Sequence, residues 1–126
     1  MLMNKNALKI RIRRNDEHAQ LFMMLINHPM ESGKRRKYPT GEIIPADYIT
    51  DLHIGVDGEK LADYTLSGNI STTPFVSFTL TRPILEGQML EFKWWDNHKK
   101  EKTYRVGVHF DEKGSFNFSN YKKSAK

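Results

Sequence analysis

The feature that most constrains this chain is a period-two alternation that recurs along its length with no helical periodicity beside it. Leu8, Ile10 and Ile12 alternate with Lys9, Arg11 and Arg13; Leu52, Ile54 and Val56 share one face of Tyr48–Val56. Val76, Phe78 and Leu80 do the same within Phe75–Thr81, and Tyr104, Val106 and Val108 within Lys102–His109. Successive side chains of a strand point to opposite faces, so each segment reads as a strand with one buried face. Leu21–Ile26 is apolar throughout, reads as a strand buried on both faces, and is stopped by Pro29. Lys60–Leu66 and Met89–Asp96 complete a set of about seven strands.

The punctuation between them is turn chemistry. Asn15-Asp16-Glu17 reads as a turn, Asp57-Gly58 as a tight hairpin, and Asn97-His98-Lys99-Lys100 as a charged turn. Glu31–Thr40 is a polar, basic loop, Ser67–Pro74 a turn or loop, and Pro83 and Gly87 bracket a bend. Short strands at roughly 8–12-residue spacing predict an all-β, immunoglobulin-like sandwich, with a five-stranded closed barrel as the alternative. The pattern predicts one domain over 8–110 and a basic, flexible C-terminal tail over 111–126. The alternating Phe116, Phe118 and Tyr121 could instead add a strand or dock on a partner.

Composition removes whole classes of chemistry. The chain of 126 residues has no cysteine, which excludes disulfides, thiolate nucleophiles and cysteine-ligated metals. No run approaches the roughly 18 apolar residues of a membrane-spanning helix. The N-terminal residues contain no apolar core of a signal peptide, and Arg13-Arg14 is followed by polar and acidic residues rather than by a twin-arginine export signal. No G-x-S-x-G elbow and no glycine-rich phosphate loop is present. The sequence therefore predicts a protein that is not an enzyme, with no catalytic residues, no cofactor and no metal site.

Net charge is +5, distributed in blocks. Residues 1–40 carry 9 basic and 3 acidic side chains, residues 41–91 carry 2 and 8, and residues 92–126 carry 9 and 4. Blocks of this kind suit sign-specific surfaces. Lys34-Arg35-Arg36-Lys37 is the densest basic run. With Arg11, Arg13, Arg14, Lys99, Lys100 and Lys102 it could line a phosphate-binding face on which Tyr38, Trp94 and Trp95 stack bases, so a small nucleic-acid-binding β-domain is one reading. The acidic middle block opposes it. Among the five histidines, His18, His28, His53, His98 and His109, only His28 has a thioether close by in sequence. His28 and Met30 together suit copper, although six methionines are equally explained as core fillers. In Phe92–Asp96, alternation buries Phe92 and Trp94 and turns Trp95 outward with Lys93, where an exposed tryptophan favours an interface.

Several stretches resemble one family. Leu25-Ile26-Asn27-His28-Pro29-Met30-Glu31-Ser32-Gly33 resembles the SHPMETG segment of the SoxZ family. Asn69–Phe78 is similar to its ISANPYLAFSF strand, Gly87–Asn97 to its GELELVWTDD hairpin, and Ile10–Arg13 to its opening IRVRLP. The likeness runs over about residues 8–110 in order. It implies an immunoglobulin-like, non-catalytic subunit of the SoxYZ sulfur carrier of thiosulfate oxidation, forming a heterodimer with SoxY. SoxY carries the sulfur intermediates on a cysteine near the end of a flexible C-terminal arm, and other Sox enzymes dock transiently. The implied location is the periplasm, reached together with a signal-bearing partner, with no nucleic acid and no membrane involved. The expected partner-binding residues are His28, Pro29, Met30, Glu31, Phe75 and Trp95, with Lys34, Arg35, Arg36 and Lys37 steering an acidic partner.

Overall fold

A computed structural model describes residues 5–14, 20–68, 73–80 and 82–122. Among the described residues there are eight strands: β1 (Lys5–Arg14), β2 (Gln20–Ile26), β3 (Ile49–Val56), β4 (Glu59–Thr65), β5 (Phe75–Leu80), β6 (Met89–Asp96), β7 (Glu101–Gly107) and β8 (Phe116–Lys122). They form two antiparallel four-stranded sheets, ordered β5-β2-β1-β8 and β4-β3-β6-β7. This is the all-β, two-sheet make-up expected of a β-sandwich. Both sheets end in free edge strands, which a closed barrel does not have.

The chain divides into two compact units. One comprises 1–27, 73–87 and 108–126, the other 28–72 and 88–107. In the first, the even-numbered residues of β1 and β2 are buried: Leu8, Ile10, Ile12, Phe22, Met24 and Ile26 are all at most 2% exposed. Phe22 stacks on Phe78 with ring centroids 4.9 Å apart. Gln20, the one buried polar residue among the described residues of this core, donates through Nε2 to the Ile84 carbonyl (2.9 Å) and accepts from the Ile84 N–H (2.7 Å). The side chain thus replaces a missing strand partner for the 82–88 loop, whose buried backbone groups need partners.

Two expectations are revised here. Leu21–Ile26 is not buried on both faces. Gln20, Phe22, Met24 and Ile26 are buried, whereas Leu21, Met23 and Leu25 alternate with them and remain partly exposed. An all-apolar strand hides its alternation, and only its neighbours reveal it. The second concerns the strand count. Phe116–Lys122 is an eighth strand that pairs antiparallel with β1, placing Phe116 against Ile12 and Phe118 against Ile10. The Asn15–Glu17 turn lies outside the described residues, as do His18 and half of the Ser67–Pro74 connection.

In the second unit, Leu52, Ile54, Leu90, Phe92 and Trp94 make the buried row. The Asp57-Gly58 hairpin forms as the sequence requires. Asp57 (φ 49°) and Gly58 (φ 85°) are both left-handed, which matches the right-handed twist of the paired strands. The Asp57 carboxylate also accepts from the Met89 N–H (2.9 Å) and Gln88 Nε2 (3.0 Å), fixing the start of β6 beside the turn. At the β6–β7 turn, Asp96 Oδ1 accepts from the N–H groups of His98 (2.8 Å) and Lys100 (2.9 Å). Burial pulls the Asp96 carboxyl upward, but these two backbone donors together with the nearby charges of His98 and Lys100 outweigh it and hold it below the ordinary 3.8.

Candidate interaction surfaces

The His28–Glu31 segment leaves β2 through a compact turn. Pro29 offers no N–H, and Met30 adopts a left-handed conformation (φ 48°). His28 Nδ1 accepts from the Met30 N–H at 3.0 Å. Met30 is buried and its Sδ accepts from the Ile49 N–H at 3.4 Å, pinning the segment to β3. His28 Nε2 lies 3.7 Å from Asp47 Oδ1. Burial lowers the His28 pKa below 6.5 despite Asp47 and Asp96, so the imidazole is neutral at pH 7. The pairing considered for copper is thus engaged elsewhere, with His28 Nδ1 and Met30 Sδ each holding a backbone N–H. Among the described residues no group of three or more His, Cys, Asp or Glu side chains is placed to hold a metal. Beside the turn is a cavity of about 290 Å³ lined by His28, Trp94, Asp96, Lys100, Glu101 and Lys102.

Glu31 starts an irregular two-stranded arm. Its N–H and carbonyl both pair with Asp47 (2.8 and 2.9 Å), and Ile44 N–H reaches the Arg35 carbonyl (2.8 Å). The basic run sits in this arm with its tip at Tyr38, which is 96% exposed. Its four cations are not equivalent. Arg35 Nε donates to Glu31 Oε1 at 3.1 Å, with a second contact through Nη2. This hydrogen bond lowers the Glu31 pKa below its ordinary value. Arg36 Nη1 donates to the Gly41 carbonyl at 2.8 Å and ties the two sides of the tip together. Lys34 and Lys37 make no side-chain hydrogen bond or ion pair among the described residues, so they carry the arm's uncommitted charge.

The outward faces of the two sheets contrast. On β4-β3-β6-β7 most of the charges compensate one another. His53 Nδ1 is 2.6 Å from Asp63 Oδ1, and Lys60 lies 3.3 Å from Asp63. Arg105 pairs with Glu91 at 3.0 Å, and Lys93 lies 4.0 Å from Glu101. Trp95 is turned outward here with Lys93, as the alternation predicts, and its Nε1 donates to Glu101 Oε1 at 3.1 Å. On β5-β2-β1-β8 the register assembles three parallel rows instead. Phe75 stands opposite Leu25, which stands opposite Lys9; Ser77, Met23 and Arg11 follow, then Thr79, Leu21 and Arg13. Phe75 is 59% exposed. Arg11 Nε donates to Asn117 Oδ1 at 3.0 Å, and among the described residues no carboxylate pairs with Lys9, Arg11 or Arg13.

The structure therefore groups the sequence-predicted residues in two places. His28–Glu31, the Lys34–Lys37 run and Trp95 belong to the second unit, and Phe75 to the first. Sequence reasoning missed Leu21, Met23 and Leu25 as surface residues. The available signal was their placement beside Lys9, Arg11 and Arg13, which only strand register discloses. No curated protein matches the chain in a search of such proteins. The family model described as Sulphur oxidation protein SoxZ matches residues 10–107. That match covers most of the chain, which therefore belongs to the SoxZ family.

Proposed function

We propose that this chain is the non-catalytic scaffold subunit of the SoxYZ sulfur carrier and that it pairs with SoxY. Membership of the SoxZ family assigns it to the sulfur-oxidising Sox system. The observation that carries the finer reading is the absence of any cysteine from the whole sequence. A persulfide or S-thiosulfonate needs a thiol, and this subunit has none to offer, so the intermediate sits on the partner. A thiol-free scaffold also leaves no second sulfur to divert the intermediate by exchange. The second unit offers features for transient docking of the processing enzymes. These are the outward-facing Trp95, the His28–Glu31 turn, and the arm with Lys34 and Lys37 free to attract carboxylates. The complex would operate in the periplasm, this chain travelling there with its partner.

The test is co-expression with SoxY followed by size-exclusion chromatography with light scattering. A complex containing equal numbers of the two chains is expected. Two separate species at micromolar concentration, or a chain that retains nucleic acid until salt is raised, would overturn the reading.

A further inference from the structure

The outward face of the β5-β2-β1-β8 sheet combines properties that solvated faces do not usually share. Its middle row, Leu21, Met23 and Leu25, lies on an interior strand, so it is not an edge effect. These side chains remain partly exposed. Phe75 extends the apolar row on one side with 59% of its surface in water. On the other side Lys9, Arg11 and Arg13 form a straight row of exposed cations with no carboxylate partner among the described residues. A concavity of about 420 Å³ opens between them, walled by Met23, Leu25, Phe75, Lys9 and Arg11. The other sheet supplies an internal comparison, since most charges on its outward face are paired with one another. Contiguous apolar surface rimmed by one sign of charge marks an interaction site.

Charge decides among occupants. A second copy of this chain would bring a second row of three cations into the interface, with no carboxylate among the described residues of the face to neutralise either row. A nucleic acid would satisfy the cations but leave Leu21, Met23 and Leu25 unused, since aliphatic side chains give bases no stacking platform. A protein surface with apolar side chains at its centre and carboxylates on one flank satisfies both rows.

We propose that this face is where the thiol-bearing partner subunit packs. The partner's apolar side chains cover Met23, Leu25 and Phe75, and its carboxylates meet Lys9, Arg11 and Arg13. The proposal rests on the reading of the chain as the scaffold of the sulfur carrier, and it specifies which face that scaffold uses.

The experiment is titration calorimetry of the full chain against purified SoxY with its thiol blocked. Phe75→Asp should weaken binding by at least ~30-fold, as loss of a central anchor does. Phe75→Ser serves the same purpose if the aspartate variant fails to fold. Arg11→Glu with Arg13→Glu should slow association by about tenfold or more and reverse its dependence on salt. Arg105→Gln, on the compensated face of the other sheet, should stay within about twofold of the parent chain. Binding by the parent chain with all variants within about twofold of it overturns the face while leaving the carrier reading intact. No binding by the parent chain overturns both. A homodimer broken by Phe75→Asp, or retained nucleic acid, would then name the true occupant.

Discussion

Replacing Gln20 with leucine removes the side chain that satisfies both backbone polar groups of Ile84 in the 82–88 loop. Leucine preserves the apolar bulk but offers neither a donor to the Ile84 carbonyl nor an acceptor for its N–H, bonds of 2.9 and 2.7 Å. Ile84 is only 2% exposed, so water does not readily take their place. Leaving a buried donor or acceptor unsatisfied costs about 1–3 kcal/mol, and two together cost roughly 2–6 kcal/mol. Against a total stability of about 5–15 kcal/mol this is a large share. A domain of this size loses about 4 °C of melting temperature per kcal/mol, so a mid-range loss of ~3 kcal/mol lowers it by ~12 °C. Urea unfolding followed by circular dichroism measures the change directly. The midpoint should fall with the slope unchanged, because the surface exposed on unfolding is nearly the same. Gln20→Glu keeps an acceptor for the N–H but buries a charge, and should be no better tolerated. A loss below about 1 kcal/mol for Gln20→Leu refutes the assignment of Gln20 as the loop's structural partner.

Other measurements test the electrostatics. Hydrogen bonds from Arg35 to Glu31, from His53 to Asp63, and from the Phe110 N–H and His109 to Glu86 lower the pKa of each carboxyl. The unfolded chain thus binds protons first on acidification. The stability these groups add is complete above their ordinary 4.5 (Glu) and 3.8 (Asp) and is lost as pH falls through the lower folded values. A urea midpoint that stays flat between about pH 5 and pH 2 would contradict this. His28 should titrate below 6.5 by NMR of its ring protons, because burial disfavours its charged form; a value at or above 6.5 would show that Asp47 and Asp96 outweigh burial. Lys34→Glu with Lys37→Glu should slow association with a processing enzyme severalfold at low salt and leave the melting temperature within about 2 °C, since neither lysine has a side-chain partner. An unchanged rate would remove the arm from the steering surface.

How much of this was legible depended on whether a residue's role is set by its own segment or by its neighbours. β1, β3 and β5 alternate polar and apolar residues, so their buried faces could be read directly. Asp57-Gly58 fixed a hairpin because few residue pairs accept two left-handed conformations. The outward position of Trp95 followed from the same alternation. β2 was misread for a definite reason: QLFMMLI is apolar at every position but the first. Its exposed row is exposed because β5 and β1 place Phe75 and Lys9 on the same side, at a sequence distance no local pattern reports. β8 was ambiguous because its polar positions resemble a solvated tail, and its pairing with β1 joins residues more than a hundred positions apart. In the His28–Glu31 segment, sequence singled out the residue types but not their local bonding. It could not show that the imidazole and thioether each hold a backbone N–H.

On the proposed reading, the sulfur is carried by a partner and held in place by this chain. The most direct test is to recover the tagged chain from its source organism and weigh each intact subunit of what it binds. Expected is a partner with a C-terminal cysteine that bears sulfur adducts, while this chain keeps its unmodified mass. Adducts on this chain, or recovery of nucleic acid with no such partner, would contradict it.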